Sequence, residues 1–93
     1  MGDVEVHGDG DVYRVEVGRG PTRTVHDVTV PAEAARRLGW SPEHRPQLVR
    51  ATFAFLLERE PASSILRRFD IEVVGRYFPE YRGEISRRAP PGA

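Results

Sequence analysis

The chain has 93 residues, 39% of them hydrophobic, and its fourteen basic residues, all arginine, balance fourteen acidic ones. That length and apolar content describe one domain around one core and exclude a disordered segment, while the balanced charge excludes the strong overall field of a typical nucleic-acid binder. The absence of cysteine removes disulfides, thiolate chemistry and cysteine-ligated metal, and fits a cytoplasmic location.

The start, MGDVEVHGDG, is acidic and glycine-rich without the apolar stretch of a secretion signal. No apolar run approaches the roughly 18 residues of a membrane span. VEVHGDGDVYRVEV (4–17) alternates apolar and polar residues on both sides of a glycine and aspartate cluster. Val4, Val6, Tyr13, Val15 and Val17 fall at period two, and the glycines supply positive φ, so a β-hairpin is predicted. After the turn GRGPT (18–22), TRTVHDVTV gives a third antiparallel strand. Thr24, His26, Val28 and Val30 share one face; Val25, Asp27 and Thr29 share the other.

Pro31 suits the first turn of a helix, Glu33 suits its positive end, and Gly39 suits its stop, so a short helix is predicted over 31–38. WSPEHRP reads as a connection bracketed by Pro42 and Pro46. The strongest helix is PQLVRATFAFLLERE (46–60). Its apolar residues, from Leu48 to Leu57, cover an arc of about 200°, roughly twice the stripe of an ordinary surface helix. Such a helix must be sandwiched, between the sheet and the C-terminal segment or between the sheet and another subunit.

Pro61 stops it, and Ser63 or Ser64 is placed to cap a short turn ILRRF. Asp70 is placed to cap a further helix, IEVVGRYF, although Phe69, Ile71 and Val73 also alternate as a strand would. Pro79 opens a last helical turn or two, and 89–93 are expected to fray. The fold class that follows is α+β: a three-stranded antiparallel sheet (1–30) packed against a long central helix and short C-terminal helices (31–88), in one domain.

Charge is uneven along this layout. Residues 1–30 hold six acids against three arginines, net −3, and residues 31–93 hold eight acids against eleven arginines, net +3. The lone basic type fits coding bias as well as anion recognition.

No catalytic constellation stands out. The histidines, His7, His26 and His44, lie in different elements without metal-ligand spacing, and only carboxylates accompany His7. Ser41, Ser63, Ser64 and Ser86 sit in no nucleophile elbow. Asp9 with Asp11, and Glu58 with Glu60, lie where water solvates them, not where one carboxyl would be held protonated. Neither enzyme chemistry, a metal nor a cofactor is therefore expected.

Two stretches carry a likeness to DNA-binding elements. HDVTVPAEAARRLG…RPQLVRATFAFLLERE resembles the strand, helix and helix of ribbon-helix-helix proteins over 24–60. The resemblance implies a dimer whose outward strand residues, Val25, Asp27 and Thr29, enter the major groove, with Arg23 and Arg45 as further nucleic-acid contacts. Asp27 would bring an acid to that groove. AEAARRLGWSPEHRPQLVR looks like a helix-turn-helix through Ala35 and Gly39, departing from it at Arg45 and Pro46.

FAFLLEREPASSILRRFDIEVVGRYFPEY is similar to a segment of small uncharacterised bacterial proteins, which implies a genuine domain and no particular activity. Within it RYFPEY places Tyr77, Phe78 and Tyr81 beside Arg76 and Arg82, a mixture common at binding surfaces and equally able to lock a terminal helix onto a core. The sequence therefore points to a small non-enzymatic binding or regulatory module acting through protein contacts with a partner protein or a second copy of itself. A dimeric DNA-binding regulator or antitoxin-like protein of ribbon-helix-helix type is the alternative.

Overall fold

A computed structural model describes residues 3–90. Strands β1 (Val4–Asp9) and β2 (Val12–Val17) form the expected hairpin, with Val4 opposite Val17 and Asp9 opposite Val12. The two-residue turn, Gly10 and Asp11, needs positive φ only at Gly10 (φ 64°), as in a type II′ turn. Tyr13 closes it by donating its hydroxyl to the Gly10 carbonyl at 2.7 Å. Gly8 is the tighter constraint, because a Cβ there would stand 2.6 Å from the Val12 carbonyl oxygen.

Strand β3 (Thr24–Thr29) pairs antiparallel with β2, Val12 opposite Thr29 and Val17 opposite Thr24. Its faces divide as the alternation requires: Thr24, His26 and Val28, with Val30 beyond the strand, are buried, while Val25, Asp27 and Thr29 are only half-buried. Helix α1 (Ala32–Arg37) follows Pro31 and stops at Gly39, where φ is 84° and the Trp40 amide donates back to Ala35 at 2.9 Å. This stop is locked to the C-terminus. Trp40 donates its indole N–H to the Ile85 carbonyl and Ser86 its hydroxyl to Leu38, each at 2.9 Å.

Helix α2 (Arg45–Leu57) is the sandwiched helix that its wide apolar arc demands. Phe53 faces the sheet, with its ring centroid 5.3 Å from His26 and 6.2 Å from Phe69. Phe55 faces the other way, onto Phe78 and onto Tyr81 of helix α4 (Tyr81–Arg87). Between them Thr52 satisfies its hydroxyl twice, donating to Leu48 and pairing with the Tyr81 hydroxyl, both at 2.8 Å.

The sheet has a fourth strand that the alternation pattern did not separate from a helix. Residues Arg68–Asp70 form β4, parallel to β3, with Asp27, Val28 and Thr29 opposite Arg68, Phe69 and Asp70. The helix expected over 70–78 is accordingly shorter: a 3-10 turn Ile71–Val73 runs into α3 (Val74–Tyr77). Asp70 caps it as expected, accepting from the Glu72 amide at 2.9 Å. Pairing wins at 68–70 because β3 would otherwise bury unpaired backbone groups along its second edge, and Phe69 reaches the core only from a strand. Ser63 and Ser64 cap nothing; they lie inside a 3-10 turn (Ala62–Ser64) preceded by Pro61, and 65–67 is extended chain. The expected fraying of 89–93 falls, from 91 onward, outside the described residues.

Because Phe53 is fully buried between two layers, Phe53→Ala should cost about 3–5 kcal/mol of unfolding free energy, read from urea denaturation. Val25→Ala, on the half-exposed sheet face, should change it by less than about 0.5 kcal/mol.

Candidate functional site: an apolar groove beside the fourth strand

A groove of about 200 Å³ opens where β4 leaves the sheet. Leu56 and Glu60 line it from the end of α2, Ser64 to Leu66 from the loop, Phe69 from β4, and Val73, Val74, Tyr77 and Phe78 from the helical segment. Two of these residues expose large apolar surface at its rim, Leu66 (47% exposed) and Tyr77 (66%). Its lone carboxylate is Glu60, with no histidine beside it, so no acid/base pair is assembled there. The volume lies below the roughly 300–1,000 Å³ of pockets that enclose drug-sized molecules. It matches one or two side chains.

The rim is tied to the sheet by a buried histidine. The His26 ring accepts and donates at fixed places: its Nδ1 lies 2.8 Å from the Leu66 carbonyl oxygen and its Nε2 lies 2.9 Å from Thr24 Oγ1. A carbonyl only accepts, so Nδ1 carries the proton, and in the neutral ring Nε2 accepts from the Thr24 hydroxyl. Burial against Phe53 holds the imidazole pKa below its ordinary value, only partly opposed by the bond to Leu66. The groove's mobile-looking loop is thus anchored at the one residue whose side chain it leaves outside.

Of the five residues marked by the RYFPEY cluster, the structure brings two to the groove, Tyr77 and Phe78. Tyr81 is not a surface residue. Its ring is completely buried on Phe55, its hydroxyl is held by Thr52, and burial pushes its phenol pKa up. Arg82 turns away, 3.7 Å from Glu72, which Arg37 also holds at 2.5 Å; that bond keeps the Glu72 carboxyl below the usual carboxylate range. Arg76 is exposed and makes no ion pair among the described residues. The loop residues Ile65 and Leu66 were missed because ILRRF reads as a turn; the available signal was an isolated apolar pair among arginines after a proline stop.

The nucleic-acid candidates are placed less favourably. Both edges of β3 are paired inside the chain over Asp27–Thr29, which leaves no edge there for a twin strand. Val25, Asp27 and Thr29 do share the outward sheet face, but Asp27 is engaged with Arg14 at 3.5 Å. Arg23 bonds Glu16 at 3.0 Å. Arg45, expected as a phosphate contact, is tucked in, bonding Asp11 at 2.9 Å, the Val30 carbonyl at 3.0 Å and the Pro42 carbonyl at 2.9 Å. As for a helix-turn-helix, the helix that would read bases is α2, and its apolar residues are buried on both sides.

The outward sheet face holds one grouping that positions along the chain did not suggest. Glu5, His7 and Glu16 bring three ligand-type atoms within 4.8 Å of one another. His26 and His44 are elsewhere, as their dispersal in sequence implied. Among the described residues no helix is long and apolar enough to cross a membrane. Comparisons of the chain with protein-family models, with curated proteins and with solved structures return no match.

The depressed His26 pKa fixes a pH dependence. The folded state binds its proton less readily than the unfolded chain, so stability from this group is full above about pH 6.5 and falls as the pH drops below it toward the folded pKa. Urea midpoints should fall between pH 7 and pH 5, and the slope should flatten in His26→Gln.

Proposed function

We propose that this chain is a non-enzymatic binding module that works through protein contacts, and that the groove beside β4 is its docking site. The single observation that carries the reading is the pair of exposed apolar side chains, Leu66 and Tyr77, standing at the mouth of a concave apolar surface. Aromatic residues at such a mouth are the usual anchors of binding energy. The size of the groove favours a protruding side chain over a small-molecule ligand.

The charges beside the mouth suggest the partner's character. Arg67 follows Leu66 and Arg76 precedes Tyr77; both are exposed, and neither makes an ion pair among the described residues. Glu60 on the groove wall is the one opposing charge. An apolar anchor flanked by acidic residues is therefore the segment this surface fits best.

Selection from a displayed peptide library tests this. The peptides recovered should share a Leu, Ile or Phe anchor with neighbouring Asp or Glu. Their affinity for Leu66→Asp and Tyr77→Ala should drop at least tenfold, while Val12→Ala, which alters an exposed apolar residue of the β1–β2 turn end, should leave it unchanged. Melting temperatures of all three variants should stay within a few degrees of the parent. Recovery of no common anchor, or equal binding by Leu66→Asp, would remove the groove as the docking site.

A further inference from the structure

We infer that the outward face of the β-hairpin is a divalent-metal site formed by Glu5, His7 and Glu16, a site independent of the groove. The hairpin register creates it. Glu5 and Glu16 are directly opposite each other, and His7 follows Glu5 on the same face two residues along β1. The Gly18 amide donates to the Asp3 carbonyl at 2.8 Å, which fixes the pairs 3/18 and, two residues on, 5/16 as hydrogen-bonded pairs of the ladder. The two carboxylates are thus mounted on the most rigid part of the hairpin.

An acidic pair facing itself across a ladder is unfavourable by itself, since like charges directly opposite repel. What separates this pair from an ordinary acidic patch is the imidazole. His7 Nε2 stands 3.3 Å from Glu5 Oε1. Two ligands at about 2.0–2.1 Å on one tetrahedral ion stand about 3.4 Å apart, so this edge already has the separation that zinc imposes. Glu16 supplies the third atom, within 4.8 Å of the others, a gap that rotation about its own side-chain bonds closes. Its Oε1 is held by Arg23 at 3.0 Å, which leaves Oε2 for a metal and supplies the kind of outer hydrogen bond that orients ligating carboxylates.

The donor set selects the ion. One imidazole and two carboxylates suit a borderline transition-metal dication of the zinc type, whereas calcium wants six to eight oxygens and magnesium keeps an octahedron of them. Three protein ligands leave the fourth tetrahedral position to water or to a group from outside the chain. Bound there, the ion would offset the Glu5–Glu16 repulsion and clamp the edge strand β1 to β2.

Zinc titration of the untagged chain at neutral pH, followed by calorimetry and by NMR of the histidine rings, tests the assignment. The expected result is one saturable equivalent, with the His7 ring resonances shifted and those of His26 and His44 unmoved. His7→Ala and Glu16→Gln should each weaken binding about tenfold or more without lowering the metal-free melting temperature, since His7 is exposed. Zinc should raise the melting temperature of the parent and not of His7→Ala, and a large excess of magnesium should not compete. No saturable binding at millimolar zinc, a shift at His44 in place of His7, or full affinity in His7→Ala would each overturn it.

Discussion

The parallel pairing of β4 with β3 joins the two halves of this molecule. Everything before residue 60 forms a hairpin, a third strand and two helices; everything after it is held to the sheet through three strand residues and the His26 bond to the Leu66 carbonyl. That short pairing carries more than its length suggests. It delivers Phe69 into the core beside Phe53, turns the chain at the Asp70 cap, and sets α3 against the end of α2. The groove exists because these elements meet at an angle that none of their side chains fills. Its floor is core, and its rim is what the core had no room for.

On the other side of α2 a second layer repeats the logic with different chemistry. Phe55, Phe78 and Tyr81 pack edge to face, Arg59 lies with its guanidinium carbon 3.6 Å above the Phe55 ring, and the same side chain bonds Glu80. A buried phenol and a buried threonine satisfy each other there, so the polar atoms cost little. The two faces of α2 thus secure the sheet and the terminal helix independently, which is why one thirteen-residue helix suffices for a domain of this size.

Much of this was legible from residue types alone. The hairpin was, because glycines at the turn and valines at period two leave few alternatives; so were the two faces of β3 and the sandwiching of α2, where an arc too wide for one contact demands two. Strand β4 was not, because a three-residue parallel strand has no pattern of its own and is defined by a partner distant in sequence. Tyr81 and Tyr77 could not be told apart either: both follow an arginine or a glutamate in a short aromatic cluster, and only the direction of α3 and α4 sends one inward and the other out. The Glu5, His7 and Glu16 grouping was within reach. Once a two-residue turn is placed at Gly10 and Asp11, the ladder puts Glu16 opposite Glu5, but a search for spacing within single segments passes over ligands that meet across a hairpin.

The same parallel strand has a consequence for how the chain acquires its shape. Asp27 and Arg68 become neighbours only after α1 and α2 have been made and folded back, so their pairing closes a long loop and its entropy must be met before any contact rewards it. During synthesis the hairpin, β3 and α2 emerge first, with one edge of β3 and the apolar side of α2 still uncovered. Such an edge is open to pairing with another nascent copy, and the interval before the last third of the chain arrives is when this protein is most exposed to aggregation.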